Sequence, residues 1–184
     1  MKKNIIAIVL VLIAIIVAVN GIDIQSVDEY YLTHIDDIKE DSRTVTLSIR
    51  CDTVLNNKSQ LDPALRSDEY IPPDGVILPD TRYVLREGDN VFTILLRATQ
   101  YNKIQFDYQS NPLQGQSSAY IKGIHYLYEF SCGPLSGWLY KVNGVFSSTD
   151  SSAYALKDGD LVEWVYSCDL GRDVGSSFGE EAMK

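Results

Sequence analysis

Histidine and the sequence motifs of common enzymes are scarce in this chain of 184 residues. The two histidines are His34 and His125, which leaves little room for a histidine-based catalytic triad. The sequence has neither the G-x-S-x-G pattern of serine hydrolases nor the glycine patterns of P-loop and Rossmann nucleotide sites. We therefore expect that this protein is not an enzyme.

Positive charge is also in short supply. The chain carries 16 basic and 25 acidic residues, for a net charge of −9. An acidic surface repels the phosphate backbone of DNA and RNA. We therefore expect no nucleic-acid partner.

Hydrophobic runs are short except at the N-terminus. Lys2 and Lys3 precede fifteen consecutive apolar residues, from Ile5 to Val19, which cover roughly 22 Å of helix, whereas a bilayer core is ~30 Å thick. A basic flank followed by a run of this length is typical of an export signal. We expect residues 1–21 to be a cleaved signal peptide or an uncleaved membrane anchor, which places the protein at the outer membrane face or outside the cell.

Three further segments follow the N-terminal run. Residues 22–43 have an apolar stripe at helical spacing and predict a helical stalk or linker, residues 44–175 predict one folded domain, and residues 176–184 predict a flexible tail. The stripe consists of Ile24, Val27, Tyr31, Ile35 and Ile38.

The domain has the sequence signals of an α+β fold. Alternating residues from Thr44 predict a first strand, and a capped amphipathic helix is predicted over residues 91–101. The Pro-rich stretch 52–80 predicts irregular structure followed by a short strand at 83–85. Residues 137–144 and 161–167 predict two late strands. This order predicts a β-grasp-like mixed sheet with one packed helix, in which the first and last strands are parallel neighbours.

Three cysteines are the sharpest chemical signal, although no short C-x-x-C pair occurs. In the predicted sheet Cys51 ends the first strand, Cys168 ends the last, and Cys132 precedes a strand antiparallel to the last, so all three converge at one edge. One hypothesis is a disulfide between two of the three, with one thiol left over. The other is a metal site made of the three thiolates with Asp52 and Asp169.

Aromatic residues are concentrated in the last third of the chain. Most of them suit packing on a pleated sheet. Three that fall near predicted loop tips could instead form a flat platform for a planar ligand or a partner, namely Tyr126, Phe146 and Tyr154.

Three blocks of sequence carry a resemblance to a known family. They are E-G-D-N-V-F-T-I-L-L-R-A at 87–98, G-W-L-Y-K-V-N-G at 137–144 and L-K-D-G-D-L-V-E-W-V-Y at 156–166. In this order the blocks resemble the transcobalamin-like C-terminal domain family of Gram-positive bacterial surface proteins. The resemblance implies a β-grasp fold, and it makes a cobalamin-like compound a candidate cofactor.

These signals together predict an exported cell-surface module that binds a ligand or interacts with another surface protein. A metal ion or a cobalamin-like compound is the expected class of cofactor, and the N-terminal segment is the expected membrane contact. The alternative is a structural or adhesion protein with an inert disulfide and no small ligand.

Overall fold

Two β-sheets and two α-helices make up the part of the chain that the structure, a computed structural model, describes, namely residues 37–111 and 118–177. The larger sheet has the strand order β2-β1-β8-β6-β7, and the smaller one has the order β3-β4-β5. The strands are β1 (Thr44–Arg50), β2 (Val76–Val84), β3 (Phe106–Asn111), β4 (Ser118–Ile124), β5 (Leu127–Tyr128), β6 (Gly137–Val142), β7 (Val145–Phe146) and β8 (Leu161–Ser167). The expected α+β class is confirmed.

The first and last strands, β1 and β8, are parallel neighbours in the larger sheet. Their register pairs Thr46 with Leu161 and Arg50 with Val165. Alternate residues of both strands point into one core, because successive side chains of a strand lie on opposite faces. The inward residues Val45, Leu47, Ile49, Val162 and Trp164 are all buried.

Helix α2 (Val91–Tyr101) packs its apolar face into this same core. The Asn90 side chain accepts a hydrogen bond from the Thr93 amide, and the Thr93 hydroxyl accepts one from the Asn90 amide. This capping box satisfies two amides that the first turn leaves free. The buried residues of the helix are Val91, Ile94, Leu95, Ala98 and Thr99. The first four have the predicted helical spacing, whereas Tyr101, which the same spacing predicts to be buried, is half-buried.

The Pro-rich stretch is more ordered than the sequence suggests. Helix α1 (Asp52–Asn56) and a 3₁₀ turn (Pro63–Leu65) lie within it. Strand β2 begins at Val76 and runs through Pro79 to Val84, so the predicted short strand at 83–85 was too short and began too late. A proline is compatible with β2 because β2 is an edge strand of its sheet, where one side of the strand needs no ladder partner.

A tight turn joins β6 to β7. Asn143 and Gly144 both have positive φ angles, of 53° and 79°, as a two-residue hairpin turn of this handedness requires. The Asn143 side chain also bonds across to β8, accepting from the Leu161 amide at 2.9 Å. The predicted turn at Asn143-Gly144 is therefore present.

Several sequence predictions lie outside the described residues. These are the signal or anchor at 1–21, the stalk up to residue 36, and residues 178–184 of the tail. The described end of the predicted stalk, residues 37–43, is a turn and not a helix: the Ser42 hydroxyl accepts from the Lys39 amide, and the Ser42 amide donates back to the Lys39 carbonyl. Such local side-chain bonds compete with helix formation.

Candidate functional site

A groove lies between strand β4 and the first four residues of β6, which do not pair with β7. It consists of two adjoining cavities of about 420 Å³ and about 330 Å³. Cavities of this size are typical of small-ligand sites. The two cavities share the lining residues Tyr120, Ile121, Trp138 and Leu139, and we call them together the β4–β6 groove.

Exposed apolar side chains are concentrated at the larger cavity. Four of the seven large hydrophobic side chains that are exposed among the described residues line it. Scattered exposed hydrophobics need no explanation, but a cluster around a concave surface marks a binding site. The four are Tyr120, Phe130, Leu135 and Leu170, which are 54%, 64%, 39% and 40% exposed.

Two of these four residues have an unusual backbone conformation. Phe130 has a φ of 65° and Leu170 a φ of 48°, in the left-handed region that bulky side chains rarely adopt. Such a conformation costs on the order of 1–3 kcal/mol and is found most often at functional sites. At both positions the chain therefore accepts strain while presenting an apolar side chain to the groove.

The polar groups of the larger cavity hold its aromatic wall in place. The Tyr120 hydroxyl donates to the Glu129 carboxylate, and this hydrogen bond, followed by burial, raises the pKa of Tyr120 to about 12. The indole of Trp138 donates to the Leu127 carbonyl at 2.7 Å. Both rings are thus anchored at one polar atom, and the Trp138 ring also packs edge-on against Tyr166.

The smaller cavity contains one unexplained donor. Trp164 lines it and is only 3% exposed. In the described part of the chain, the indole nitrogen of Trp164 is buried and has no hydrogen-bond partner. Buried tryptophan N–H groups usually find an acceptor, so Trp164 is an exception, and its nitrogen lies behind the surface of the cavity.

The three predicted cysteines lie in one buried cluster at the end of the groove. Cys51, Cys132 and Cys168 are 0%, 0% and 7% exposed, and all three are free thiols. They pack together with apolar side chains and with the ring of Tyr166. The structure therefore brings the sulfur atoms into one region at the edge of the sheet.

Burial controls the chemistry of these thiols. It raises the pKa of Cys51 to about 12, with the charge of Asp52 as the next cause. Burial likewise raises the pKa of Cys168 to about 12, and a side-chain hydrogen bond with Cys132 adds to the shift. Thiols with such pKa values are almost entirely protonated near neutral pH, which makes them poor nucleophiles and poor metal ligands until they lose the proton.

The two predicted carboxylate ligands are engaged elsewhere. Asp52 forms an ion pair with Arg50 at 2.7 Å, and Asp169 forms one with Arg172. Both carboxylates are almost half exposed. Within residues 37–111 and 118–177, no group of three or more His, Cys, Asp or Glu side chains is arranged to hold a metal ion.

The predicted aromatic platform is divided among different neighbours. Tyr126 packs edge-on against Tyr70, with 5.4 Å between the ring centroids. Phe146 lies under Lys141, whose Nζ is 6.0 Å from the centroid of the Phe146 ring. Tyr154 packs edge-on against Tyr140, with 6.1 Å between the ring centroids, beside the core formed by β1, β8 and α2. Among the described ring contacts, none joins two of the three.

The residues that make the groove were not predicted as a site from the sequence. Trp138 and Phe130 are visible there as aromatics, but their alternation with polar residues indicates packing. Two places in the sequence could have indicated the groove: the G-P-L-S run after Cys132, and Leu170 between Asp169 and Gly171. In both places a lone leucine stands in a turn, where a polar residue is usual.

The comparisons with known proteins give a family match that includes most of the groove but ends before Leu170 and Gly171. No curated protein sequence matches the chain. In the structure, within residues 37–111 and 118–177, no helix is long and apolar enough to cross a membrane. Residues 88–167, from the turn before α2 to the end of β8, match the family described as Domain of unknown function (DUF4430).

Proposed function

We propose that this protein is a ligand-binding module at the outer face of a bacterial cell membrane, and that its ligand binds in the β4–β6 groove. The observation that carries the proposal is the cluster of exposed apolar side chains around one concave surface, two of them at strained positions. Exposing these groups to water is unfavourable unless a ligand covers them.

The wall of the groove indicates the ligand class. Tyr120, Phe130 and Trp138 offer aromatic surface. These groups suit a small molecule with a flat, largely apolar body. Residues 88–167 match the family that the sequence blocks resemble, so a cobalamin-like compound is tested as a second probe beside a planar apolar molecule.

The surface location is supported by the sequence. The run from Ile5 to Val19 after two lysines is typical of an exported or anchored protein. The resemblance, with its β-grasp arrangement, points to Gram-positive surface proteins, and the parallel pairing of β1 with β8 agrees with that arrangement. Buried thiols with pKa values near 12 argue against cysteine-based catalysis, so we restrict the proposal to binding.

The two tryptophans of the chain, Trp138 and Trp164, both line the groove. Intrinsic tryptophan fluorescence of the full-length protein in mild detergent therefore reports on this site and on the core behind it. We expect cyanocobalamin, or a planar apolar dye used as a general probe, to quench this fluorescence with saturation. Zinc chloride in place of the organic probe tests the metal hypothesis in the same assay.

Variants at the rim make the test specific. Phe130→Ala should raise the Kd by about five- to twentyfold and Leu170→Ala by about three- to eightfold, since fully covering such a side chain contributes roughly 1.5–3 kcal/mol and the two side chains are 64% and 40% exposed. Val145→Ala is the matched control, because Val145 is 70% exposed but does not line the groove. Equal affinities for all three variants, or no saturable quenching by any probe, would contradict the proposal and favour the structural or adhesion alternative.

A further inference from the structure

Two of the three buried cysteines contact one short segment, helix α1 and the residue that ends it. The Cys168 thiol lies 3.6 Å from the Thr53 hydroxyl oxygen in the helix, and the Cys132 thiol lies 3.5 Å from the carbonyl oxygen of Asn57, the C-cap residue. Thr53 and Asn57 are themselves joined, because the Asn57 side-chain amide donates to the Thr53 carbonyl at 2.8 Å. Both thiols therefore lie against residues 53–57.

The same two thiols also influence each other's protonation. Besides burial, the pKa of Cys132 is affected by Cys168, and the pKa of Cys168 is affected by Cys132. Cys51 is different: besides its own burial, the groups that shift its pKa are the charged side chains of Asp52, Arg50 and Asp74. The contacts of the two thiols with residues 53–57 therefore single out one pair of cysteines from the three possible pairs.

Each cysteine of this pair is the first residue of a loop that lines the groove. Residues 133–136 follow Cys132, and residues 169–171 follow Cys168. The two loops meet through a hydrogen bond from the Leu170 amide to the Leu135 carbonyl at 2.9 Å. Together these loops form the end wall of the larger cavity.

We propose that Cys132 and Cys168 form a disulfide when the protein meets an oxidant of the thiol–disulfide class, that Cys51 stays a thiol, and that the new bond fixes the end wall of the groove. The bond itself does not depend on the proposed function. Only its consequence for a ligand rests on that function.

The reaction is an ordinary exchange. One protein thiolate attacks a sulfur atom of the oxidant's disulfide, forms a mixed disulfide and releases one thiol. The second protein thiolate then attacks the protein sulfur of the mixed disulfide and releases the other thiol. The protein loses two electrons and two protons, and the oxidant's disulfide becomes two thiols. Because a raised thiol pKa leaves little thiolate near neutral pH, the exchange speeds up as the pH rises.

The test uses full-length protein that is reduced and unfolded in urea and then refolded by dilution into mild detergent with a mixture of reduced and oxidised glutathione, because the sulfur atoms of the folded protein are closed to an oxidant of this size. After acid quenching, denaturation and alkylation with iodoacetamide, peptide mass spectrometry reports which cysteines are blocked. We expect the alkylated thiols to fall from three to one, with Cys132 and Cys168 in one cross-linked peptide pair. A cross-link that contains Cys51, a glutathione adduct as the final product, or three alkylated thiols would each overturn the proposal.

Variants and a second measurement complete the experiment. Cys51→Ala should still lose both of its thiols, whereas Cys132→Ala should keep both, and the wild-type peptide map decides the matter if either variant fails to fold. Hydrogen exchange of residues 133–136 and 169–171 should be slower in the oxidised protein than in the reduced one. Unchanged exchange beside a correct cross-link would overturn the claim about the end wall and leave the pair intact. Neither readout involves a ligand, so failure here is distinguishable from failure of the groove to bind.

Discussion

Replacing Asp89 by alanine removes the countercharge of a buried guanidinium group. The Asp89 carboxylate lies 2.9 Å from Arg97, and the two side chains are only 9% and 12% exposed. The same carboxylate accepts hydrogen bonds from the Arg86 amide at 2.7 Å and from the Thr93 hydroxyl at 3.0 Å. One side chain therefore joins the turn before α2 to the body of that helix.

The size of the effect follows from this burial. In the Asp89→Ala variant the Arg97 charge stays buried with the Val84 carbonyl as its acceptor at 2.7 Å, and breaking a buried pair in this way costs about 3–5 kcal/mol. Asp52→Ala is the matched control, because its pair with Arg50 is 45% and 41% exposed. An exposed pair contributes about 0–1 kcal/mol.

Urea unfolding followed by circular dichroism measures both variants against the wild type. Unchanged m values would show that the same two states are compared. The double variant Asp89→Ala/Arg97→Met should recover part of the loss, because it removes the uncompensated charge. Equal losses for Asp89→Ala and Asp52→Ala, or a double variant less stable than Asp89→Ala, would refute the reasoning.

Three further outcomes are expected. Gly75→Ala should be much more destabilising in urea than Gly144→Ala: an added Cβ at Gly75 would lie 2.7 Å from the Asp52 Cα, whereas at Gly144 nothing lies within 4 Å and only backbone strain of about 1–2 kcal/mol applies. The pKa of Cys168 is raised from 9.0 to about 12, so the stability gained by keeping this thiol protonated is present below pH 9 and is lost as the pH rises toward 12. Cys168→Ala should accordingly lose less stability than the wild type across that window. Formation of the Cys132–Cys168 disulfide should raise the unfolding free energy by about 4 kcal/mol, because it closes a loop in the unfolded chain. Equal urea midpoints for oxidised and reduced protein would contradict this.

The elements that the sequence predicts well are those whose signals are local. Helix α2 occupies the predicted residues because Asn90 caps it and its apolar residues recur at helical spacing. Strands β1 and β8 have the expected bounds, because β1 alternates in polarity from Thr44 and β8 is a run of residues that favour strands. Strand β2 was underestimated because Pro79 is tolerated only at the edge of a sheet, and edge position depends on the tertiary fold.

The groove could not be predicted for the same physical reason. Its wall is assembled from loops distant in the sequence, and the positive φ angles of Phe130 and Leu170 are set by the packing around them. The convergence of the cysteines could be predicted from the sequence, because the ends of parallel strands meet at one edge of a sheet. Which two thiols interact depends on helix α1, which lies within the stretch that the prolines made appear irregular.

The strained rim and the buried thiol pair belong to one structural unit, and Tyr166 connects them. The Tyr166 hydroxyl donates to the Tyr128 carbonyl at 2.6 Å and lies 2.9 Å from the Ser136 hydroxyl, which in turn accepts from the Cys132 amide. These bonds fix both ends of the loop that carries Phe130. Strained, exposed apolar residues persist only where the surrounding structure holds them firmly. A rigid base under a strained rim preorganises the groove, so less ordering is required when a ligand binds.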